Sequence, residues 1–204
     1  MASAVGYFFF AGLRTFVVVF ANRYYGLADA ALAVPLLVIG AVAVLGTVTG
    51  GRLADTLLRR GSHTARLVVA AVGYLVAVIG FGPGLLVTAV PIAVAFFSLG
   101  AAGLAAANPP LDAARLDIVP GRLWGRGESV RTVTRLAAET IAPIVFGVTA
   151  DHLGGRGESG TGLRNAFLVM LVPLVINGAM VAASRRTYPT DTVTATASDR
   201  LGRD

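Results

Sequence analysis

The chain has 204 residues, of which 55% are hydrophobic and only 14% charged, with a net charge of +6 and a mean hydropathy of +0.75. A soluble domain carries about 25% charged residues, so this composition leaves too little polar surface to cover a water-soluble globule. Cysteine is absent, which excludes disulfides, thiolate metal sites and cysteine nucleophiles.

Six apolar runs follow one another, each close to the roughly 20 residues that cross a bilayer core. The first covers about Val5 to Ala21. It starts almost at Met1, has no basic segment before it and contains Arg14, so it reads as a retained helix rather than a cleaved signal. The second covers about Ala33 to Gly50, and the basic segment Arg52 to Arg66 follows it. The third covers about Leu67 to Gly82 and is expected to end in a tight turn at Phe81-Gly82-Pro83-Gly84. The fourth runs from about Leu85 to Ala107, before a long basic connection from Pro109 to Ser129. The fifth, about Val130 to Ala150, is the least apolar, because Arg131, Arg135 and Glu139 lie within it. A Gly-rich connection from Asp151 to Gly162, expected to be flexible, leads to the sixth, about Leu163 to Ala183. Residues 187–204 form a polar, Thr-rich tail, expected to be disordered.

All 17 basic residues are arginine, and their placement orients the chain. With the start in the cytoplasm, Arg52, Arg59, Arg60, Arg66, Arg115, Arg122, Arg126, Arg131, Arg185, Arg186, Arg200 and Arg203 fall inside. Only Arg23, Arg156 and Arg164 fall outside. This is a positive-inside bias with both termini cytoplasmic. Because the arginines occupy the gaps between apolar runs, the charge does not read as a nucleic-acid surface.

An internal echo suggests a three-plus-three build. The second span ends in Gly50-Gly51-Arg52-Leu53-Ala54-Asp55, the fifth in Gly147-Val148-Thr149-Ala150-Asp151. Repeats of three helices invert, so Asp55 falls inside and Asp151 outside. The expected fold class is an all-α membrane protein: six transmembrane helices as two inverted three-helix repeats in residues 1–186.

The segment Gly51-Arg52-Leu53-Ala54-Asp55-Thr56-Leu57-Leu58-Arg59-Arg60 resembles the signature loop of the major facilitator superfamily. Gly51, Asp55, Arg59 and Arg60 match; Thr56 and Leu58 stand where the family has a basic residue and a Gly. The stretch Asn108-Pro109-Pro110-Leu111-Asp112-Ala113-Ala114-Arg115-Leu116-Asp117-Ile118-Val119-Pro120 is similar to the region joining helices ten and eleven in bacterial members. Arg126-Gly127-Glu128, Ala142-Pro143 and Phe146-Gly147 continue it. The resemblance covers residues 6 to 186 and implies helices seven to twelve, the carboxyl six-helix half of a transporter. It further implies a small-molecule substrate, alternating access, and a partner that is an amino-terminal six-helix half or a second copy. Gly51, Asp55, Arg59 and Arg60 would then latch the cytoplasmic face.

Several polar residues are candidates for function. A central arginine costs about 2.5–3.5 kcal/mol on insertion scales, so Arg14 faces a cavity or snorkels to an interface. Arg135 and Glu139 share a helix face and would line the same cavity or neutralise each other. Glu139 is the candidate for proton coupling. Arg59 and Arg60 either latch or anchor topology. Asp55 could cap a cytoplasmic turn. Asp112, Arg115 and Asp117 are expected to form a cytoplasmic ion-pair cluster with loop arginines, structural or gating. Asn108 and Asn177 are expected to bond neighbouring helices. Gly40, Gly46, Gly50, Gly100 and Gly103 favour close packing, and Pro35, Pro91, Pro143 and Pro173 mark kinks or helix starts. His63 and His152 fall on opposite sides and cannot share a metal. No P-loop, Ser/His/Asp cluster or catalytic carboxylate pair is present, so an enzyme is not expected, nor any cofactor. The expected location is the plasma membrane, multi-pass. The alternative to transport is a non-transporting membrane scaffold or assembly subunit, or an inactive transporter fragment.

Overall fold

The computed structural model describes residues 2–154 and 160–201, with side chains for residues 5–154 and 160–194. Arg156, Arg203 and the side chain of Arg200, all used above to orient the chain, lie outside the described residues, as do residues 155–159 of the Gly-rich connection. The described residues form helices and no strand. The six expected spans are α1 (Ala2–Tyr25), α2 (Asp29–Arg59), α3 (Ala65–Leu86), α4 (Val90–Ile118), α5 (Trp124–Gly154) and α6 (Thr161–Ser184). A short 3-10 turn at Gly121–Leu123 precedes α5, and α7 (Tyr188–Leu201) follows α6. With 22 to 31 residues each, the six long helices are about 33–46 Å long, enough to cross a hydrocarbon core of about 30 Å.

Three expectations about boundaries are corrected. Phe81 to Gly84 is not a turn: α3 continues to Leu86 with Pro83 inside it. One proline near a helix end removes a single N–H donor, and Gly80 and Gly84 let this turn lie against α4. The Tyr25 hydroxyl donates to the Gly84 and Val87 carbonyls, satisfying acceptors at the helix end. The real turn is Val87 to Ala89, and Pro91 sits in the first turn of α4. Second, the helices run beyond the apolar runs on the basic side. α2 continues through Asp55 to Arg59, so Asp55 sits on a helix and caps no turn. α4 passes Pro109 and Pro110 to Ile118, because ion pairs described below hold its polar end. Third, the described part of the tail is helical rather than disordered: Tyr188 is buried, and Thr192 and Thr194 hydroxyls donate to carbonyls within α7.

The packing follows the three-plus-three pattern. α2 packs on α4, and its equivalent α5 packs on α1. α2 also meets α3, α5 meets α6, and the two third helices, α3 and α6, face each other. Each of these contacts maps onto another, or onto itself, when α1–α3 exchange with α4–α6. Asp55 and Asp151 lie at opposite ends of the bundle, as inverted repeats require, and both are exposed.

Hydrocarbon offers no hydrophobic drive between helices, so close backbone contact holds them together. Gly46 and Gly50 of α2 lie against Ala102 and Ala106 of α4, and a Cβ on either glycine would overlap the facing carbonyl. Gly73 and Gly80 of α3 meet Gly103 and Gly100 on another side of α4. Gly40 differs from this pattern, since nothing lies within 4 Å of where its Cβ would be. An aromatic cluster fills the remaining centre. Phe9 of α1 packs against Phe81, Phe146 and Phe167, with ring centroids 5.2, 6.3 and 6.5 Å away.

Gly50→Ala is expected to force α2 off α4 and cost about 1–3 kcal/mol, the usual penalty of overpacking. Gly40→Ala serves as the matched control and is expected to change little. Thermal unfolding in detergent reads both; equal midpoints would refute the close-contact account.

Candidate functional site: a groove and a charged end

An open groove of about 550 Å³ lies between α1, α2 and α4. Its walls are apolar: Phe10, Leu13 and Val17 from α1, Leu36, Ile39 and Val44 from α2, Phe97 and Leu104 from α4. The polar atoms come from Tyr7, Arg14, Thr47 and Asn108. Tyr7 and Arg14 are seven residues apart on α1, two turns along one face. Arg14 stands near the middle of its span, exposed toward the groove. Among the described residues it has neither an ion pair nor a hydrogen bond.

The structure separates the three cavity candidates. Arg14 lines the groove; Arg135 and Glu139 do not. Arg135 Nε and Glu139 Oε1 are 3.1 Å apart on α5, so the pair neutralises itself within one helix. The Arg135 guanidinium also lies over the Tyr7 ring, 4.6 Å from its centre. Tyr7 therefore joins the pair to the groove wall. Asn108 borders the groove, whereas Asn177 is 3% exposed and sits against Tyr74 of α3. The first was expected to bond a neighbouring helix and instead faces open space.

A charged cluster closes one end of the bundle, the end where α1 begins. Asp112 and Arg115 are not partners of each other. Asp112 Oδ1 lies 3.4 Å from Arg131, and Arg115 donates to Glu128 at 2.7 Å. Glu128 also accepts from Arg131 at 2.5 Å. These bonds tie the end of α4 to the start of α5. Asp117 works separately: its carboxylate accepts from Arg66 of α3 and from the Tyr188 hydroxyl of α7. Burial and the Asp117 carboxylate push the Tyr188 phenol up to about 12, so it remains a donor at neutral pH.

Sequence reasoning missed Glu128 and Tyr188 as partners and included Arg66 only among the loop arginines expected to pair with the cluster. Glu128 carried a usable signal, because it stands three residues before Arg131 on one helix face. Gly51, Asp55, Arg59 and Arg60 lie along one end of α2. Asp55, Arg59 and Arg60 are exposed and make no ion pair among the described residues. No group of three or more metal-ligating side chains occurs among the described residues.

Removing the acceptor in Asp117→Ala is expected to free both Arg66 and Tyr188. Discounted for partial exposure, the loss is about 1 kcal/mol. Hydrogen exchange in α7 should then rise about fivefold while α1 to α6 stay protected. Unchanged exchange in α7 would show that Asp117 does not hold it.

No protein-family model and no curated protein sequence matches this chain. The fold does match: the crystal structure of a bacterial homolog to the human lysosomal transporter Spinster, in an inward-facing and occupied conformation, superposes with a TM-score of 0.77 at 21% sequence identity. The match covers 93% of this chain and 48% of that one, so the chain spans about half the length of that protein. With six helices long and apolar enough to cross a membrane, the chain is a multi-pass membrane protein with the fold of about half of that structure.

Proposed function

We propose that the chain works as one half of a secondary transporter, moving a small solute by alternating access across the plasma membrane. The observation that carries this reading is Arg14. An arginine in mid-span with no partner is costly in hydrocarbon, and here it faces an open groove rather than a packed core. A wet cavity shared with a second six-helix unit would solvate it, and an anionic group on a solute would pair with it.

Burial supports a second unit. Only 11% of the most apolar window of α2 and 17% of that of α5 are buried, against 28–50% for the other four spans. The two helices are equivalents in the repeat, so the least covered surfaces are related by the same exchange. They would meet an amino-terminal six-helix half, or a second copy of the chain. Asp55, Arg59 and Arg60, on the exposed end of α2 beyond Gly51, would latch onto that partner at the cytoplasmic face. Glu139 with Arg135 would border the shared cavity and supply its one carboxylate for proton coupling. The ion pairs of Asp112, Arg115 and Asp117 would keep the cytoplasmic ends of α4, α5 and α7 together. Both termini would lie in the cytoplasm, by the arginine bias.

The chain, expressed with a candidate amino half or alone as a dimer, is reconstituted for uptake. Arg14→Ala is expected to reduce uptake at least tenfold with an unchanged unfolding midpoint, and Glu139→Gln to remove its dependence on a proton gradient. Uptake indifferent to both would refute the cavity assignment. Tags at Gly26 and Gly61 should be reachable from opposite faces, with Gly61 inside.

A further inference from the structure

A second groove, sharing no residue with the first, runs between α3 and α6 on the outer surface of the bundle. Its volume is about 400 Å³. Small residues form its floor: Ala71 on α3, Gly178 and Ala182 on α6. Val72, Leu75 and Val175 rise at its edges, each more than half exposed. The α3 side extends from Val68 to Val78. Ten residues of helix rise about 15 Å, half of a hydrocarbon core of about 30 Å. The groove therefore has the depth of one leaflet.

Its single charge stands at one end. Arg185 is the C-cap of α6, at the end where α3 begins, and it is exposed. Among the described residues it makes no ion pair and no hydrogen bond through its side chain. Arg66, at the start of α3, is already held by Asp117, and Arg185 is the one arginine that lines the groove. An apolar channel one leaflet deep, with an unpaired guanidinium where the hydrocarbon ends, matches one kind of molecule in charge and in length. Basic pockets between transmembrane helices on the cytoplasmic side take anionic head groups.

We propose that the α3–α6 groove is a binding site for an anionic phospholipid of the cytoplasmic leaflet, with an acyl chain along the groove and the phosphate on Arg185. The choice of leaflet rests on the proposed orientation; the site itself does not. A lipid here would bridge the two third helices of the repeats, α3 and α6, whose own contact centres on Tyr74, Asn177 and Gly178.

Native mass spectrometry of the detergent-purified chain tests this, with phosphatidylglycerol and phosphatidylcholine as probes. One phosphatidylglycerol should remain bound to the unaltered protein, and phosphatidylcholine should not. Arg185→Ala should weaken retention about fivefold, the worth of one basic residue at an anionic surface, and Arg185→Lys should restore most of it. Ala179→Phe, which fills the groove without touching the charge, should weaken it as well. Arg186→Ala removes an equal charge outside the groove and should leave binding intact. Equal retention of both lipids, equal loss in the Arg185 and Arg186 variants, or displacement by inorganic phosphate would each overturn the proposal. Lipid retention in a protein without uptake would leave this site standing and count against transport alone.

Discussion

Helices in hydrocarbon are not driven together by the hydrophobic effect, because lipid tails are as apolar as leucine. What holds this bundle is the approach of backbones at residues that lack side chains. α4 is the centre of that arrangement. Ala102 and Ala106 on one side of it receive Gly46 and Gly50 of α2; Gly100 and Gly103 on another receive Gly80 and Gly73 of α3. A bulky residue at any of these positions would push a helix outward. The groove beside α1 keeps its shape only because α2 and α4 are fixed to each other along its far wall.

Polar groups obey the complementary rule. A partner offsets the cost of a polar group in the membrane, and most of the ion pairs gather where helix ends leave the apolar runs. Arg115 and Arg131 share Glu128, Arg131 adds Asp112, and Arg66 shares Asp117 with Tyr188. The same cluster explains why α4 and α5 extend past their apolar runs, since the pairs stabilise helical turns outside the hydrocarbon. Arg14 and Arg185 stand outside this network: one faces the inner groove and the other the end of the outer groove. Neither is neutralised among the described residues, and each borders a groove in which a group from outside the chain could meet it.

The six spans and their inverted arrangement were legible from the sequence because hydrocarbon thickness is a strong constraint on length and composition. Helix ends were less legible. The apolar run stops at Gly50 while the helix stops at Arg59, since hydrogen bonding continues after hydrophobicity ends. Pro83 was misleading for a similar reason, as a proline near a helix end breaks little and its surroundings decide. Among site residues, Arg14 could be singled out because a charge in mid-span is conspicuous. The partners of Asp112, Arg115 and Asp117 could not be chosen, because pairing across helices depends on which ends are neighbours in space. Tyr188 was invisible for the same reason: nothing local marks a tyrosine 71 residues from Asp117 as its donor.

The two repeats also show where near-symmetry breaks. Under the exchange set by the Ala-Asp echo, Gly50 of α2 corresponds to Phe146 of α5. Gly50 lies directly against Ala106 of α4, so that joint is backbone on backbone. Phe146 instead fills its joint with a ring, and α1 accommodates it with Gly12, where any Cβ would collide with that ring. The same helix contact is thus closed tightly in one repeat and spaced by an aromatic in the other. α1 is held toward α5 and α6 by its phenylalanines, Phe9 to Phe146 and Phe20 to Phe167, while α2 is held to α4 by glycines. Those two attachments pull α1 and α2 toward different neighbours and leave few contacts between them. The space that results is the groove, and Arg14, on the α1 face turned away from Phe146, is the charge exposed in it.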